Sequence, residues 1–171
     1  MSNVVQLPPR KKSEPLTPEQ LRNLLKVNLG LNSKMATVKS GSSMSYLTIT
    51  VRDACVDIDR VVEFAASLST WEMDVTDYCS GQSITVEVAG NVQDVLAERV
   101  YNRVVNCDIP KDGQGLEVAP GIILWRNGFE VWMERKEDRK RSTEFRVGDL
   151  VNRNPDVMRR MAYHLARLFK E

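Results

Sequence analysis

Residues 46–53, YLTITVRD, alternate apolar and polar side chains almost without a break. Successive side chains of a strand point to opposite faces, so Leu47, Ile49 and Val51 form one dry row, and Thr48, Thr50 and Arg52 a wet one. Such a strand cannot be buried on both sides; its dry row needs an apolar layer of helices over it. A shorter strand precedes it across the polar linker Ser40-Gly41-Ser42-Ser43. Two later segments repeat the alternation. Trp71, Met73 and Val75 interleave with Glu72, Asp74 and Thr76, and Ile84, Val86 and Val88 interleave with Thr85 and Glu87.

Helical signals supply the covering layer. Thr17 is an N-cap, Pro18 occupies the first turn, Gln20 completes a capping box, Leu16 staples to Leu21, and Gly30 stops the helix. Its buried stripe is Leu21, Leu24, Leu25 and Leu29. Behind Asp57, the residues Ile58, Val61, Val62, Ala65 and Leu68 recur at helical spacing. A third helix is capped at Asn91 and buried through Val92, Val95, Leu96, Val100 and Val104. The order helix, strand, strand, helix, strand, strand, helix belongs to the α+β class, with antiparallel sheets each covered on one face by helices. The outward set is then Thr48, Thr50, Arg52, Glu72, Asp74, Thr76, Thr85 and Glu87.

Residues 108–120 are rich in turn formers and mark a junction. Beyond them GIILWRNGFEVWMER is a hairpin with Asn127-Gly128 as a type I′ turn. KEDRKRST follows as a charged loop, EFRV as a third strand, and a closing helix starts at Asn154 with Pro155 and Asp156 in its first turn. The expected organisation is a flexible basic arm at 1–15, an N-terminal α+β lobe at 16–107, a linker at 108–120, and a C-terminal lobe of three strands and a helix at 121–171.

The net charge of +1 hides a segregation. Residues 1–41 carry seven basic against two acidic side chains, residues 42–117 five against thirteen, and residues 118–171 twelve against eight. Fields of opposite sign on one chain offer two different surfaces to partners. No apolar run reaches the roughly 18 residues of a membrane span. The N-terminal MSNVVQLPPRKKSEP lacks a signal's apolar core, so a cytoplasmic location is expected. Cys55, Cys79 and Cys107 are scattered and odd in number, which fits neither a disulfide framework nor a zinc site.

The run LGLNSKMATVKSGSSMSYLTITVRDACVDIDRVVEFA, with the later DYCSGQSITVEV, resembles the large polyvalent protein-associated domains of phage and conjugative-plasmid proteins. The shared features are a leading helix, V-K into a serine-rich turn, I-T-V-R-D, V-D-I-D opening a helix, and S-G before a strand, over roughly residues 20–90. The resemblance implies a mobile genetic element, a bacterial host cytoplasm, and accessory proteins that meet host defences. The C-terminal lobe is similar to the three-stranded-sheet-plus-helix DNA-binding modules of plant transcription factors and phage integrases. That likeness implies a sheet entering the major groove through Trp125, Arg126, Trp132 and Arg135, with Glu130 and Glu134 departing from the pattern.

No constellation for catalysis stands out. His164, the single histidine, sits at the edge of the last helix's apolar stripe, where a half-buried structural role is expected. Asp53, Asp57, Asp59 and Glu63 fit no calcium loop, and Gly113 and Gly115 precede a strand instead of a helix. The expectation is a non-enzymatic protein with no metal and no cofactor. The mobile-element resemblance then implies, as the first reading, an inhibitor of a host defence nucleoprotein complex, of the anti-CRISPR kind, acting through an acidic face of Glu72, Asp74 and Glu87. The alternative is a DNA- or RNA-binding protein acting through Trp125, Arg126, Arg135, Arg139, Lys140, Arg141, Arg159, Arg160 and Arg167, with Tyr163, Lys136 and Lys170 beside them. An edge strand of the acidic sheet is also open to pairing with a partner's sheet, or with a second copy to give a homodimer.

Overall fold

The computed structural model describes residues 14–70, 72–73 and 79–169, with Glu72, Met73, Cys79 and Ser80 as backbone alone. The expected arm at 1–15 therefore lies, apart from Glu14 and Pro15, outside the described residues, as do Trp71, Asp74, Val75, Thr76 and Lys170. The fold is α+β, and the chain divides into two compact units, 1–92 and 93–171.

In the first unit, α1 (Pro18–Leu29) starts at the expected capping box. The Gln20 N–H donates to Thr17 Oγ1 at 3.2 Å and the Thr17 N–H to Gln20 Oε1 at 2.8 Å. It ends at Gly30, whose φ of 69° is the left-handed cap that glycine takes without penalty. Strands β1 (Ala36–Ser40) and β2 (Tyr46–Val51) pair antiparallel. Helix α2 (Ile58–Leu68), capped by Asp57 on the Arg60 N–H, leads on to β5 (Ser83–Val88). Leu47, Ile49 and Val51 are wholly buried, and Thr85 and Glu87 are exposed, as their alternation requires.

The strand order is β1-β2-β5, and β2 and β5 run parallel, not antiparallel as expected. The reason is topological. A crossover helix returns the chain to the end where the first strand began, so the strands on either side of α2 point the same way. The segment expected as a full strand at 71–76 contributes only β3 (Glu72–Met73), paired with β4 (Cys79–Ser80) in a sheet of its own.

One side chain ties this unit's periphery together. Gln82 is 1% exposed; its amide accepts from the Leu16 N–H at 2.9 Å and donates to the Leu16 and Met44 carbonyls at 2.9 and 2.7 Å.

Helix α3 (Gly90–Val105) crosses the division between the units. Its Ala97, Val100 and Val104 lie in the core of the second unit, so the third helix, expected in the N-terminal lobe, packs mainly with the C-terminal one. Val95, expected in its stripe, is 49% exposed.

The second unit's sheet has four strands where three were expected: β6 (Gly115–Ala119), β7 (Ile122–Asn127), β8 (Glu130–Arg135) and β9 (Phe145–Arg146), in that order and antiparallel. β6 comes from the stretch read as a linker. Short α4 (Val147–Val151) and α5 (Pro155–Phe169) follow. Met158, Met161, Ala162, Leu165 and Leu168 of α5 share one core with Ile122, Leu124, Val131 and Met133. The β7–β8 turn is Gly128-Phe129, and of its residues only Gly128 has a positive φ, 59°. That is the pattern of a type II′ turn, not the expected I′, and it leaves Phe129 87% exposed at the tip.

Candidate nucleic-acid interface

Parity along β7 and β8 decides what the open face of the C-terminal sheet displays. Ile122 and Leu124 on β7, and Val131 and Met133 on β8, point into the core. Ile123 and Trp125, Trp132 and Glu134 therefore point out. Trp125 and Trp132 are direct cross-strand partners, and Gly115 of β6 is the partner of Trp125 on its other side. A Cβ at Gly115 would lie 2.6 Å from Ile123 Cγ2 and 3.0 Å from the Trp125 ring. The Trp125 indole thus reaches over Gly115 of β6, where a larger residue would crowd it and Ile123.

On the same face, Glu134 is held by two arginines, with Arg139 Nε 2.8 Å from Oε1 and Arg141 Nε 2.7 Å from Oε2. The Glu134 side chain is 7% exposed while both arginines are open to solvent. The trio carries a surplus positive charge. Glu130 is the register partner of Arg146. The two acids that depart from the DNA-binding pattern thus each face a base. The Arg141 guanidinium also lies over the Trp132 ring, 5.4 Å from its centre. The Trp132 indole N–H is buried without a hydrogen-bond partner among the described residues.

Not all of the expected residues join this face. Arg135 shares the parity of Val131 and Met133, points inward and is buried. Its Nε donates to Asp138 Oδ1 at 2.9 Å and its Nη1 to the Leu168 carbonyl at 2.9 Å, which makes it a structural strut. Arg126 donates to the Gly128 carbonyl at 3.1 Å and the Pro110 carbonyl at 3.4 Å, pinning the hairpin. Arg159 pairs with Asp94 at 3.7 Å, Arg160 lies over Phe145, and Arg167 lies over Tyr163. These three belong to α5, which covers the inner face of the sheet, so they face away from the tryptophans. What converges is Trp125, Trp132, Arg139 and Arg141, with Lys140 between the two arginines. Gly115, which makes the platform possible, carried no signal in the sequence, since its role depends on a pairing with β7 ten residues away.

The acidic set is not brought together among the described residues. Glu72 is on the separate β3–β4 sheet, Asp74 lies outside the described residues, and Glu87 is exposed on β5. The register puts Glu87 beside Thr50, on a face shared with Thr37, Lys39, Thr48 and Thr85, so its surroundings are mixed in charge.

Two groups that could do chemistry, Cys107 and His164, are partly buried. Burial pushes the Cys107 thiol up from its ordinary value, against the pull of Arg153, which disfavours the nucleophilic thiolate. His164 is half-buried, edge-on to Phe145 and Tyr163, with Nε2 3.3 Å from Thr143 Oγ1. Burial, then the charges of Arg167 and Arg160, push its pKa down to about 4. Among the described residues no group of three or more potential metal ligands occurs, and no helix is long and apolar enough to cross a membrane.

The depressed His164 predicts a pH dependence of stability. The unfolded chain takes up the imidazole proton near pH 6.5, and the folded chain only near 4. The contribution is therefore complete above about pH 6.5 and is lost as pH falls through that window. Because the ring is partly solvated, we expect a loss on the order of 1–2 kcal/mol by pH 4, less than the full linkage value. Denaturant midpoints at pH 7 and pH 5 should converge in His164→Gln; an equally steep wild-type and variant profile would exclude the effect.

No family model, no curated protein and no solved structure matches this chain.

Proposed function

We propose that the protein binds single-stranded nucleic acid on the open face of its C-terminal sheet, as a binding protein and not as a catalyst. The observation that carries this reading is the Trp125 indole packed close over Gly115, on one face with Trp132 and the Arg139–Glu134–Arg141 trio. Unpaired bases stack on aromatic rings exposed on a sheet, while arginines at the edge take the phosphates. Transfer of Arg141 from Glu134 to a phosphate would also uncover Trp132, whose unmet indole N–H then has a base acceptor within reach. Duplex reading in a major groove is less well supplied. Arg126 and Arg135, the arginines it would use, are spent on carbonyls and on Asp138. Blocking a host defence complex through Glu72, Asp74 and Glu87 has no comparable geometry in its support.

Anisotropy titrations with labelled single-stranded and duplex oligonucleotides across a salt series test the proposal. Single strands should bind more tightly. Trp125→Ala should weaken them by about 1–3 kcal/mol, and Arg141→Ala should lower the magnitude of the salt slope by roughly 0.7. Arg160→Ala, on the opposite side of the unit, should bind like wild type. Absence of binding at low salt, or wild-type affinity in Trp125→Ala, would reject it.

A further inference from the structure

The other unit carries an open strand edge of defined chemistry. The Gly41 N–H donates to the Tyr46 carbonyl and the Arg52 N–H to the Met35 carbonyl, each at 2.8 Å and in register with the β1–β2 ladder. In an antiparallel pair the bonded positions alternate, so Thr37 and Lys39 exchange main-chain bonds with β2. Ala36, Val38 and Ser40 turn their N–H and C=O groups to the outer edge. There the Ala36 N–H is used by the Asn32 carbonyl at 3.0 Å, and the Val38 carbonyl takes only a long 3.5 Å contact from Arg22 Nη2. The Val38 and Ser40 N–H groups and the Ala36 and Ser40 carbonyls meet nothing among the described residues.

A hollow of about 580 Å³ runs along this edge, lined by Arg22 and Ser33, by 36–39 of β1, and by Thr50 and Arg52. Three of its lining residues are cations and none is a carboxylate. None of Arg22, Lys39 and Arg52 has an acidic partner among the described residues. We infer that this edge accepts an extended acidic segment of a partner protein as a fourth strand of the β1-β2-β5 sheet. Alternating donors and acceptors match a peptide main chain, which a row of phosphates cannot satisfy. Acidic side chains at every second position of that strand would meet Lys39 and Arg52 on the open face. The intervening side chains would lie toward Arg22, on the side that α1 covers. A second copy pairing edge to edge would set the same cations against each other, and the chain's own Arg10, Lys11 and Lys12 carry the same wrong sign.

The test titrates the full chain with an acetylated (Glu-Val)4 peptide, using (Lys-Val)4 and an oligo-dT as comparisons, followed by amide chemical shifts and anisotropy. Shifts should concentrate at Val38 and Ser40. Lys39→Glu with Arg52→Glu should weaken the acidic peptide about tenfold, equal to roughly 1.4 kcal/mol. Ser40→Pro, which deletes an outward N–H at an exposed position, should weaken it too while leaving the fold intact. Trp125→Ala should not change it, which separates this surface from the sheet face of the other unit. Equal binding of (Lys-Val)4, an unchanged double variant, shifts away from β1, oligo-dT displacing the peptide from this edge, or a concentration-dependent dimer built on it would each overturn the inference.

Discussion

Gly81→Ala should unfold the N-terminal unit while the C-terminal unit stays native. Gly81 has φ of 92°, and a Cβ there would stand 2.0 Å from the Thr70 carbonyl oxygen and 2.6 Å from its carbon. Both are main-chain atoms, and they have little freedom to retreat. The Thr70 N–H donates to the Gln82 carbonyl at 2.9 Å, and the Gln82 N–H donates to Thr70 Oγ1 at 2.9 Å. Moving the pair would also drag the Gln82 amide away from Leu16 and Met44, leaving buried main-chain groups unmet. Overlap, a forbidden φ and lost hydrogen bonds together should cost about 4 kcal/mol or more. Hydrogen exchange reads the outcome by unit. Protection should vanish at Leu47, Ile49 and Val51 and persist at Leu124 and Met133. Retained protection at Leu47 would mean that the approach of 81 to 70 is not held in solution.

Arg135→Met should destabilise the C-terminal unit by about 3 kcal/mol without touching nucleic-acid affinity in the folded protein. Methionine keeps the apolar stem but deserts Asp138 and the Leu168 carbonyl near the end of α5. The Arg135 guanidinium is also what chiefly holds the Asp138 carboxyl well below the usual carboxylate range. That contribution is present above the ordinary carboxylate pKa and fades as the solution is acidified below it. The wild type should therefore lose stability in strong acid that the variant has already lost. Arg141→Ala is the contrast, weakening binding at little cost in stability. A drop in affinity for folded Arg135→Met would return that residue to the interface.

How much of this could be read beforehand depends on range. Signals within a few residues held: the Thr17–Gln20 box, the Gly30 cap, and the parity that buries Leu47, Ile49 and Val51. The same parity places Arg135 with Val131 and Met133, and Arg126 with Leu124. Periodicity says which face a side chain takes but not which strand lies alongside. The parallel β2–β5 pairing, the strand hidden in 115–119, and the allegiance of α3 therefore escaped it. The platform under Trp125 escaped for the same cause, since Gly115 matters only once β6 is paired. In the candidate interface, composition marked the charged loop 136–141 as a whole. It could not tell arginines that hold the protein together from those left open to solvent.

The pairing of Thr48 with Thr85 spans 37 residues of chain, with a helix in between. On a ribosome adding about 5–20 residues per second, β2 waits roughly two to seven seconds for its second neighbour. During that interval β2 has one unsatisfied requirement, the bare edge that β5 will fill. Neighbouring hairpins such as β7–β8 close almost as soon as they emerge. Nascent-chain capture by chaperones should therefore fall off sharply once Val88 has cleared the exit tunnel.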